Sequence, residues 1–166
     1  MRSTGQKYSK AAPIPKKLFA NSRMAGLYLH IPFCRQACYY CDFHFSTDTH
    51  HRSELVQALM RELELQKNYT QEPIRTLYFG GGTPSLLTRD ELSGLIDAVR
   101  ENYSLDAIAE ITLEVNPDDL TREHLMDLHQ VGINRLSIEI QSFDPTTLRF
   151  LHRVHDADRA RQCLHD

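Results

Sequence analysis

The stretch "EITLEV", residues Glu110–Val115, alternates apolar and polar side chains over its whole length. Ile111, Leu113 and Val115 share one side of an extended strand, and the two glutamates and the threonine share the other. The segment "RLSIEI", residues Arg135–Ile140, repeats the pattern. A strand that is buried on both faces would read as a continuous apolar run instead. The alternation therefore predicts a sheet with one apolar and one polar face.

Four such segments recur along the chain, and a glycine-rich or polar turn and then a helical pattern follow each of them. The strands are expected at Leu27–Ile31, Ile74–Phe79, Glu110–Val115 and Arg135–Ile140, and the helices at Ser53–Asn68, Arg89–Glu101, Arg122–Gln130 and from Asp156 to the end. Repeated strand–helix units predict an α/β fold with a parallel sheet and right-handed crossovers. Because each strand has a polar face, the helices should cover only the outside, as in an open parallel (β/α) barrel. The chemistry of such barrels lies in the loops that follow the strands.

Two of the expected helices carry further local signals. Leu55, Leu59 and Leu63 recur every fourth residue and form one apolar stripe. Thr88 and Glu91 stand three residues apart just before the apolar stripe of the second helix. This spacing is typical of a capping box, in which each side chain accepts a hydrogen bond from the other residue's backbone N–H.

The charge is distributed unevenly along the 166 residues. Residues 1–23 hold six Lys or Arg and no acid, which leaves 13 basic against 22 acidic residues in the remainder. An acidic body argues against nucleic acid as a partner. Residues 1–24 are expected to be a basic, disordered leader, or an extension upstream of a start at Met24.

The compartment is predicted from two further absences in the sequence. No apolar run approaches the ~18 residues that a membrane span needs, so no transmembrane segment is expected. The leader also lacks the apolar core of a secretory signal. The protein is therefore expected in the cytoplasm, a reducing compartment where clustered cysteines bind metal more often than they form disulfides.

Three of the four cysteines lie within "CRQACYYC", in the loop after the first strand. Cys34, Cys38 and Cys41 can supply three of four tetrahedral positions, which suits two kinds of site. One is a zinc ion completed by His44, and the other is a [4Fe-4S] cluster with one iron left for an exogenous ligand. Zinc sites usually pair ligands from separate segments, so the single loop favours the cluster. Cys163 is expected to be a small buried hydrophobe.

The cysteine loop resembles that of the radical S-adenosylmethionine (radical SAM) superfamily, whose fold is an incomplete (β/α)6 barrel. The motifs "YLHIPFC", "FGGGTPSLL", "EITLEVNP", "GINRLSI" and "IQSFD" follow in the order used by its branch of oxygen-independent coproporphyrinogen III oxidases and HemW-type heme chaperones. The resemblance covers residues 26–165 and implies about four βα units of that barrel. Residues 25–166 are accordingly expected to be the N-terminal part of a radical SAM core in a longer protein. An unpaired sheet edge is then expected at the fourth strand.

The same resemblance implies a cofactor site. Its metal ligands would be Cys34, Cys38 and Cys41, and S-adenosylmethionine would chelate the free iron of the cluster. The implied S-adenosylmethionine contacts are Tyr28, Tyr40, Gly81, Gly82, Thr83, Glu114, Gln141 and Arg153. Strand alternation independently points Tyr28, Glu114 and Gln141 into the barrel. For Arg153, a charge on a helix surface is the alternative.

Phe43 bears on the choice between the two activities of the branch. The coproporphyrinogen oxidases carry another cysteine at this position, two residues after the cluster motif, so Phe43 favours the heme chaperones. These are associated with binding heme and passing it to an acceptor protein. The alternative is an oxidase-type enzyme of porphyrin biosynthesis that cleaves S-adenosylmethionine reductively. His44, His50 and His51 follow the loop and are expected to be solvated rather than heme ligands.

The chain departs from the branch at Glu139. The family normally reads "SIGVQSF" where this chain reads "SIEIQSF", so a glutamate replaces a glycine. By alternation this side chain points into the barrel beside Gln141, where an unpaired carboxylate would be costly. Either a cation such as Arg135 or Arg153 compensates for it, or the cofactor binds weakly.

Overall fold

Residues 24–166 are described by this computed structural model, and they build one four-stranded sheet. The strands are β1 (Ala25–Ile31), β2 (Ile74–Gly81), β3 (Leu105–Val115) and β4 (Arg135–Ile138). They lie in the order β1-β2-β3-β4, and each neighbouring pair is parallel. The predicted basic leader lies outside the described residues.

Helices follow each strand, as the repeated pattern predicted, and the first three connect successive strands. They are α1 (Arg52–Leu65), α2 (Arg89–Asn102), α3 (Arg122–Val131), α4 (Pro145–Phe150) and α5 (Ala157–Gln162). The α4 helix was not predicted. Its signals are nevertheless local, because Pro145 occupies the first turn and the Asp144 side chain accepts a hydrogen bond from the Thr147 N–H at 2.7 Å. At six residues, this helix is too short to show an apolar period.

The hydrophobic core lies between the helices and one face of the sheet. Its buried members include Leu29, Ile31, Leu77, Phe79, Leu113 and Val115 from the strands, with Val56, Leu63, Leu92, Leu95, Ile96 and Val99 from α1 and α2. Leu55 and Leu59 of the predicted stripe pack only at its margin. The predicted one-sided sheet is confirmed, and the architecture is that of a partial (β/α) barrel.

All four strands differ in length from the prediction. β1 begins at Ala25 rather than Leu27, and β2 ends at Gly81 rather than Phe79. β3 begins at Leu105 rather than Glu110, and β4 ends at Ile138 rather than Ile140. After Ile138 the chain turns, because Gln141 adopts a left-handed backbone conformation with φ of 62°. The Ile140 N–H donates to the Ile138 carbonyl at 2.9 Å, which belongs to a tight turn and not to a strand ladder. This turn carries the residues after β4 towards the end of the sheet.

The fourth strand forms one edge of the sheet. Among the described residues β4 pairs only with β3, as the sequence predicted. In residues 24–166 no helix has the length and apolar character that crossing a membrane requires.

The predicted capping box at the start of α2 is present. The Thr88 hydroxyl accepts from the Glu91 N–H at 3.2 Å, and the Glu91 carboxylate accepts from the Thr88 N–H at 2.8 Å. We expect Thr88→Ala to lower the free energy of unfolding by about 1 kcal/mol, because one helix N–H loses its acceptor. Urea denaturation measures this loss. Thr88→Ser keeps the hydroxyl, so an equal loss in that variant would contradict the capping explanation.

Candidate functional site

A cavity of about 240 Å³ lies on the polar side of the sheet, where the four strands end. All eleven residues that the sequence analysis assigned to metal or cofactor line it. They are Tyr28, Cys34, Cys38, Tyr40, Cys41, Gly81, Gly82, Thr83, Glu114, Gln141 and Arg153. The wall is thus built from β1 to β3 and from the loops that follow all four strands.

The cysteine loop is closed at its base by a short β-bridge. Phe33 pairs with Ser46, the Cys34 N–H donates to the Ser46 carbonyl at 3.0 Å, and the Ser46 N–H donates to the Pro32 carbonyl at 2.7 Å. Within the loop the Cys41 N–H donates to the Cys38 carbonyl at 3.1 Å. All three thiols of the loop are free and partly exposed. They are therefore presented together to the cavity and are available as ligands.

The donor set suits a cluster better than a single ion. In residues 24–166 no three His, Cys, Asp or Glu side chains converge on one metal-sized position. His44, the proposed fourth ligand of the alternative zinc site, is exposed and does not line the cavity. A [4Fe-4S] cluster binds each thiolate through a different iron, so its ligands need not converge on a point.

The glycine run lies directly against the cysteine loop. The Gly82 N–H donates to the Ile31 carbonyl at 2.8 Å, and the Thr83 N–H donates to the Phe33 carbonyl at 2.7 Å. A Cβ atom at Gly82 would lie 2.6 Å from the Phe33 oxygen and 2.9 Å from the Cys34 Sγ. Glycine is required here because only a residue without a side chain lets the two loops approach this closely.

The thiol of Cys34 has a perturbed titration. Burial raises its pKa, and the neighbouring thiols of Cys41 and Cys38 raise it further by charge repulsion. A hydrogen bond with the Thr83 side chain and the positive charge of Arg153 act in the opposite direction. A bound metal would favour the thiolate in the same way as these two groups, because the ligand form of cysteine is deprotonated.

Glu114 organises the polar wall formed by the strands. One of its carboxylate oxygens accepts from the Tyr78 hydroxyl at 2.7 Å, and the other accepts from the Gly81 N–H at 3.1 Å. The Tyr28 ring stacks on Tyr78 with the centroids 5.9 Å apart, and its hydroxyl lies 3.1 Å from the His30 Nδ1. Burial, and secondarily the Glu114 charge, raise the pKa of Tyr28. The strand alternation thus correctly predicted that Tyr28 and Glu114 face the barrel interior.

Arg153 reaches into the cavity, so the alternative of a helix-surface charge is wrong. Its NH1 group lies 3.5 Å from the Cys38 Sγ and 3.2 Å from the Tyr40 hydroxyl. Its NH2 group donates to the Asn116 side-chain oxygen and, at 2.7 Å, to the Glu139 backbone carbonyl. The residue lies between α4 and α5, in a segment that the sequence analysis did not resolve.

Leu151 and His152, which directly follow α4, also form hydrogen bonds with the cysteine loop. The Tyr39 N–H donates to the Leu151 carbonyl at 3.2 Å, and the Gln36 side chain donates to the His152 carbonyl at 2.7 Å. The His152 Nδ1 lies 2.9 Å from the Ala37 carbonyl, and its ring stacks on Tyr39 at 4.5 Å. His152 adopts a left-handed backbone conformation with a φ of 58°. The loop is therefore positioned by residues more than 100 positions away.

Sequence reasoning missed two residues that join the loops after β1, β2 and β3. The Asp119 carboxylate, 2% exposed, accepts from the Arg35 Nε at 2.9 Å and from the Ser85 hydroxyl at 2.7 Å. The Asn116 amide donates to the Thr83 hydroxyl at 3.1 Å. Both belong to the polar run "NPDD" immediately after β3. Its place at the carboxyl end of a parallel strand was the available signal.

Glu139 lines the cavity, but neither candidate arginine neutralises it. Its carboxylate accepts from the Gln141 amide at 2.7 Å and from the Ser137 hydroxyl at 3.4 Å. Arg135 pairs with a different carboxylate, and Arg153 binds only the Glu139 backbone carbonyl. The first of the two alternatives, compensation by an arginine, is therefore wrong. The partners are neutral, and one of them is the implied ligand contact Gln141.

His50, His51 and Cys163 lie away from the cavity. His50 and His51 are exposed and pair with nearby carboxylates, as expected of solvated residues. Cys163 is 4% exposed in the hydrophobic core, and its thiol donates to the Ala160 carbonyl at 3.2 Å. Cys163 is thus the small buried hydrophobe that the sequence predicted.

Comparison with known proteins identifies several similar chains. The family profile of the Radical SAM superfamily matches residues 28–166. Heme chaperone HemW from Escherichia coli is 40% identical over 140 residues, covering 82% of this chain and 37% of that protein. Oxygen-independent coproporphyrinogen III oxidase from Bradyrhizobium diazoefficiens is 34% identical over 141 residues, covering 81% and 31%. The solved coproporphyrinogen III oxidase (HemN) of Escherichia coli, a radical SAM enzyme, matches with a TM-score of 0.77 and 32% identity, covering 86% and 33%.

These similarities agree with the fold and with the resemblance carried by the motifs. The chain spans between 31% and 37% of the length of these relatives. The superfamily implies a [4Fe-4S] cluster and S-adenosylmethionine as cofactors. Because the profile extends over nearly all of the described residues, and because the strand order and loop positions agree with it, this chain belongs to the radical SAM superfamily.

Proposed function

We propose that this chain is part of a HemW-like heme chaperone that binds a [4Fe-4S] cluster with S-adenosylmethionine and transfers heme to an acceptor protein. The observation that carries the proposal is the convergence of all eleven implied site residues on one cavity. The similarity to HemW from Escherichia coli supports the choice of branch. Residues 25–166 would form the N-terminal part of the radical SAM core, in a protein that works in the cytoplasm.

In this proposal the cysteine loop holds the metal and the strands hold the organic cofactor. Cys34, Cys38 and Cys41 supply the three thiolates, and Gly82, which has no side chain, lets the glycine run pack directly against the cysteine loop. When bound, the cluster and S-adenosylmethionine supply one-electron reductive chemistry. The residues of the chain bind and orient these groups and limit their contact with water.

Phe43 supports the chaperone over the oxidase. It stands where the coproporphyrinogen oxidases carry a further cysteine, and its side chain lines the cavity while remaining 75% exposed. An exposed aromatic ring beside the cavity adds apolar surface and no thiol chemistry. It is therefore compatible with a role in binding and less so with a catalytic role at this position.

The second candidate is an oxygen-independent coproporphyrinogen III oxidase-type enzyme of porphyrin biosynthesis. It is favoured by the structural match to HemN from Escherichia coli, at a TM-score of 0.77, and by the oxidase from Bradyrhizobium diazoefficiens. Both candidates share the cluster and S-adenosylmethionine. They differ in what is done to the porphyrin.

Two assays on the anaerobically reconstituted protein separate these candidates. In the first, heme is titrated and binding is followed by the change in its absorption band. In the second, S-adenosylmethionine, a reductant and coproporphyrinogen III are supplied, and 5′-deoxyadenosine and decarboxylated porphyrinogen are measured. The chaperone is expected to bind heme and to produce no decarboxylated product. Stoichiometric decarboxylation would refute the chaperone proposal and establish the oxidase.

A further inference from the structure

Arg153 is a half-buried cation whose hydrogen-bond partners are all formally neutral. Its two terminal nitrogens meet the Cys38 sulfur, the Tyr40 hydroxyl, the Asn116 side-chain oxygen and the Glu139 backbone carbonyl. The remaining donor, Nε, is buried and has no hydrogen-bond partner. Five donors are therefore directed into a site that supplies no carboxylate partner among residues 24–166.

Two acids that line the same cavity, Asp118 and Glu139, have other side-chain partners. Asp118 lines the same cavity, but its carboxylate lies 3.8 Å from the Nδ1 of the buried His155. The Glu139 carboxylate accepts from Gln141 and Ser137. The hydrogen bond with His155, and to a smaller degree the charge of Arg153, hold the pKa of Asp118 below its usual value, so Asp118 and Arg153 interact only through space. Because the buried Nε has no hydrogen-bond partner and the other donors have neutral partners, the arrangement favours an anionic group in the space that Arg153 faces.

The two sides of the guanidinium fork face different parts of the fold. NH1 is directed at the cysteine loop through Cys38 and Tyr40, and NH2 is directed at the ends of β3 and β4 through Asn116 and Glu139. The rigid planar fork can satisfy both sides at once, whereas a lysine ammonium offers only a single point of charge. The geometry therefore places a fixed N–H group against the Cys38 sulfur.

We propose that Arg153 supplies the counter-charge and an N–H···S hydrogen bond to the Cys38 ligand of the iron–sulfur cluster, and thereby raises the cluster's reduction potential. This inference rests on the proposed function, in which Cys38 binds the cluster. Hydrogen bonds to ligand sulfurs, together with net charge and solvent exposure, set the potentials of such clusters. A cation at this position stabilises the form that has gained one electron, because that form is the more negative.

The test is a potentiometric titration of the reconstituted protein, in which an external reductant supplies the electron and the cluster's spectrum reports its redox state. Arg153→Gln removes the charge and the fork. We expect its ratio of reduced to oxidised cluster at a fixed applied potential to fall at least tenfold, which is about 59 mV for a one-electron couple. Arg149→Gln is the matched control, because it removes an equal charge from an exposed side chain four residues away. Its potential should equal that of the wild type.

A second variant and a second signal keep the inference testable. Arg153→Lys retains the charge without the fork, so its potential should lie between those of the wild type and Arg153→Gln. In D2O, pulsed electron–nuclear resonance of the reduced cluster should show an exchangeable deuteron in the wild type that is lost in Arg153→Gln. If the glutamine variant takes up no cluster, the lysine variant decides by the same measurements, and a wild-type potential there overturns the inference.

The outcomes also separate this inference from the proposed function. A wild-type protein that takes up no cluster on reconstitution would refute the proposed function itself. A wild-type protein that takes up the cluster, with Arg153→Gln at an unchanged potential, would refute only the role of Arg153. An equal shift in Arg149→Gln would also refute it, because the effect would then be one of general charge.

Discussion

Alanine in place of Cys34, Cys38 or Cys41 should leave the anaerobically reconstituted protein colourless, whereas the wild type should be brown. Each thiolate is expected to bind a different iron of the cluster, so two remaining ligands cannot hold it in place. All three thiols are free and partly exposed to one cavity, and no disulfide competes for them. Iron and sulfide content and the visible absorbance of each variant measure the loss, which should be essentially complete.

Cys163→Ala is the matched control for these three variants. Its thiol is 4% exposed in the hydrophobic core and donates to a backbone carbonyl of its own helix. The cluster content should therefore equal that of the wild type. Stoichiometric zinc in a colourless wild-type protein that resists reconstitution would contradict the cluster assignment, as would a cysteine variant of the loop that keeps its full iron content.

Glu139→Gly should tighten the binding of S-adenosylmethionine to the cluster-loaded protein by about 5- to 150-fold, or roughly 1 to 3 kcal/mol. The Glu139 side chain occupies part of the cavity, and its carboxylate holds the Gln141 amide at 2.7 Å. A ligand that uses Gln141 must displace this bond, and an ionised glutamate also repels the ligand's carboxylate. Removing the side chain relieves both effects. Calorimetric titration measures the change.

Two companion variants show which property of Glu139 matters. Glu139→Gln keeps the volume and removes the charge, so equal tightening in this variant would assign the effect to repulsion. Glu139→Ala removes most of the volume without the backbone freedom of glycine, and it should behave like Glu139→Gly if obstruction is the cause. Unchanged or weaker binding by Glu139→Gly would contradict the obstruction argument. Glu139 would then be an organising residue, acting through Gln141 and Ser137.

Much of the fold could be predicted because its signals are local in the chain. The period-two alternation of "EITLEV" follows from the geometry of a single strand, and the capping box of Thr88 and Glu91 involves residues only three positions apart. The spacing of the cysteines likewise lies within one loop. Such patterns arise from the geometry of neighbouring residues. They predicted the parallel sheet, the outer helices and the loops that line the cavity.

The errors occurred where the chain departs from a regular period. β4 was expected to continue to Ile140, because the apolar alternation continues, but the left-handed conformation of Gln141 ends the extended region. The short α4 helix was not predicted. Its six residues do not complete two helical turns, so no apolar period is visible in the sequence. These differences determine where two site residues lie, because Gln141 is in the turn after β4 and Arg153 is in the segment after α4.

The sequence by itself indicated eleven of the residues that line the cavity, because strand alternation and loop position depend on local geometry and on a recognisable family pattern. Only the tertiary structure decided how those residues are paired. Arg153 meets Cys38 across 115 positions, and Gln36 meets the His152 carbonyl across 116. Glu139 binds Gln141, although compensation by an arginine was one of the two alternatives considered from the sequence. Such partners depend on the side-chain rotamers and backbone turns of the folded chain. There, distant segments compete for the same hydrogen-bonding groups, and the spacing of residues along the sequence does not indicate which segment binds.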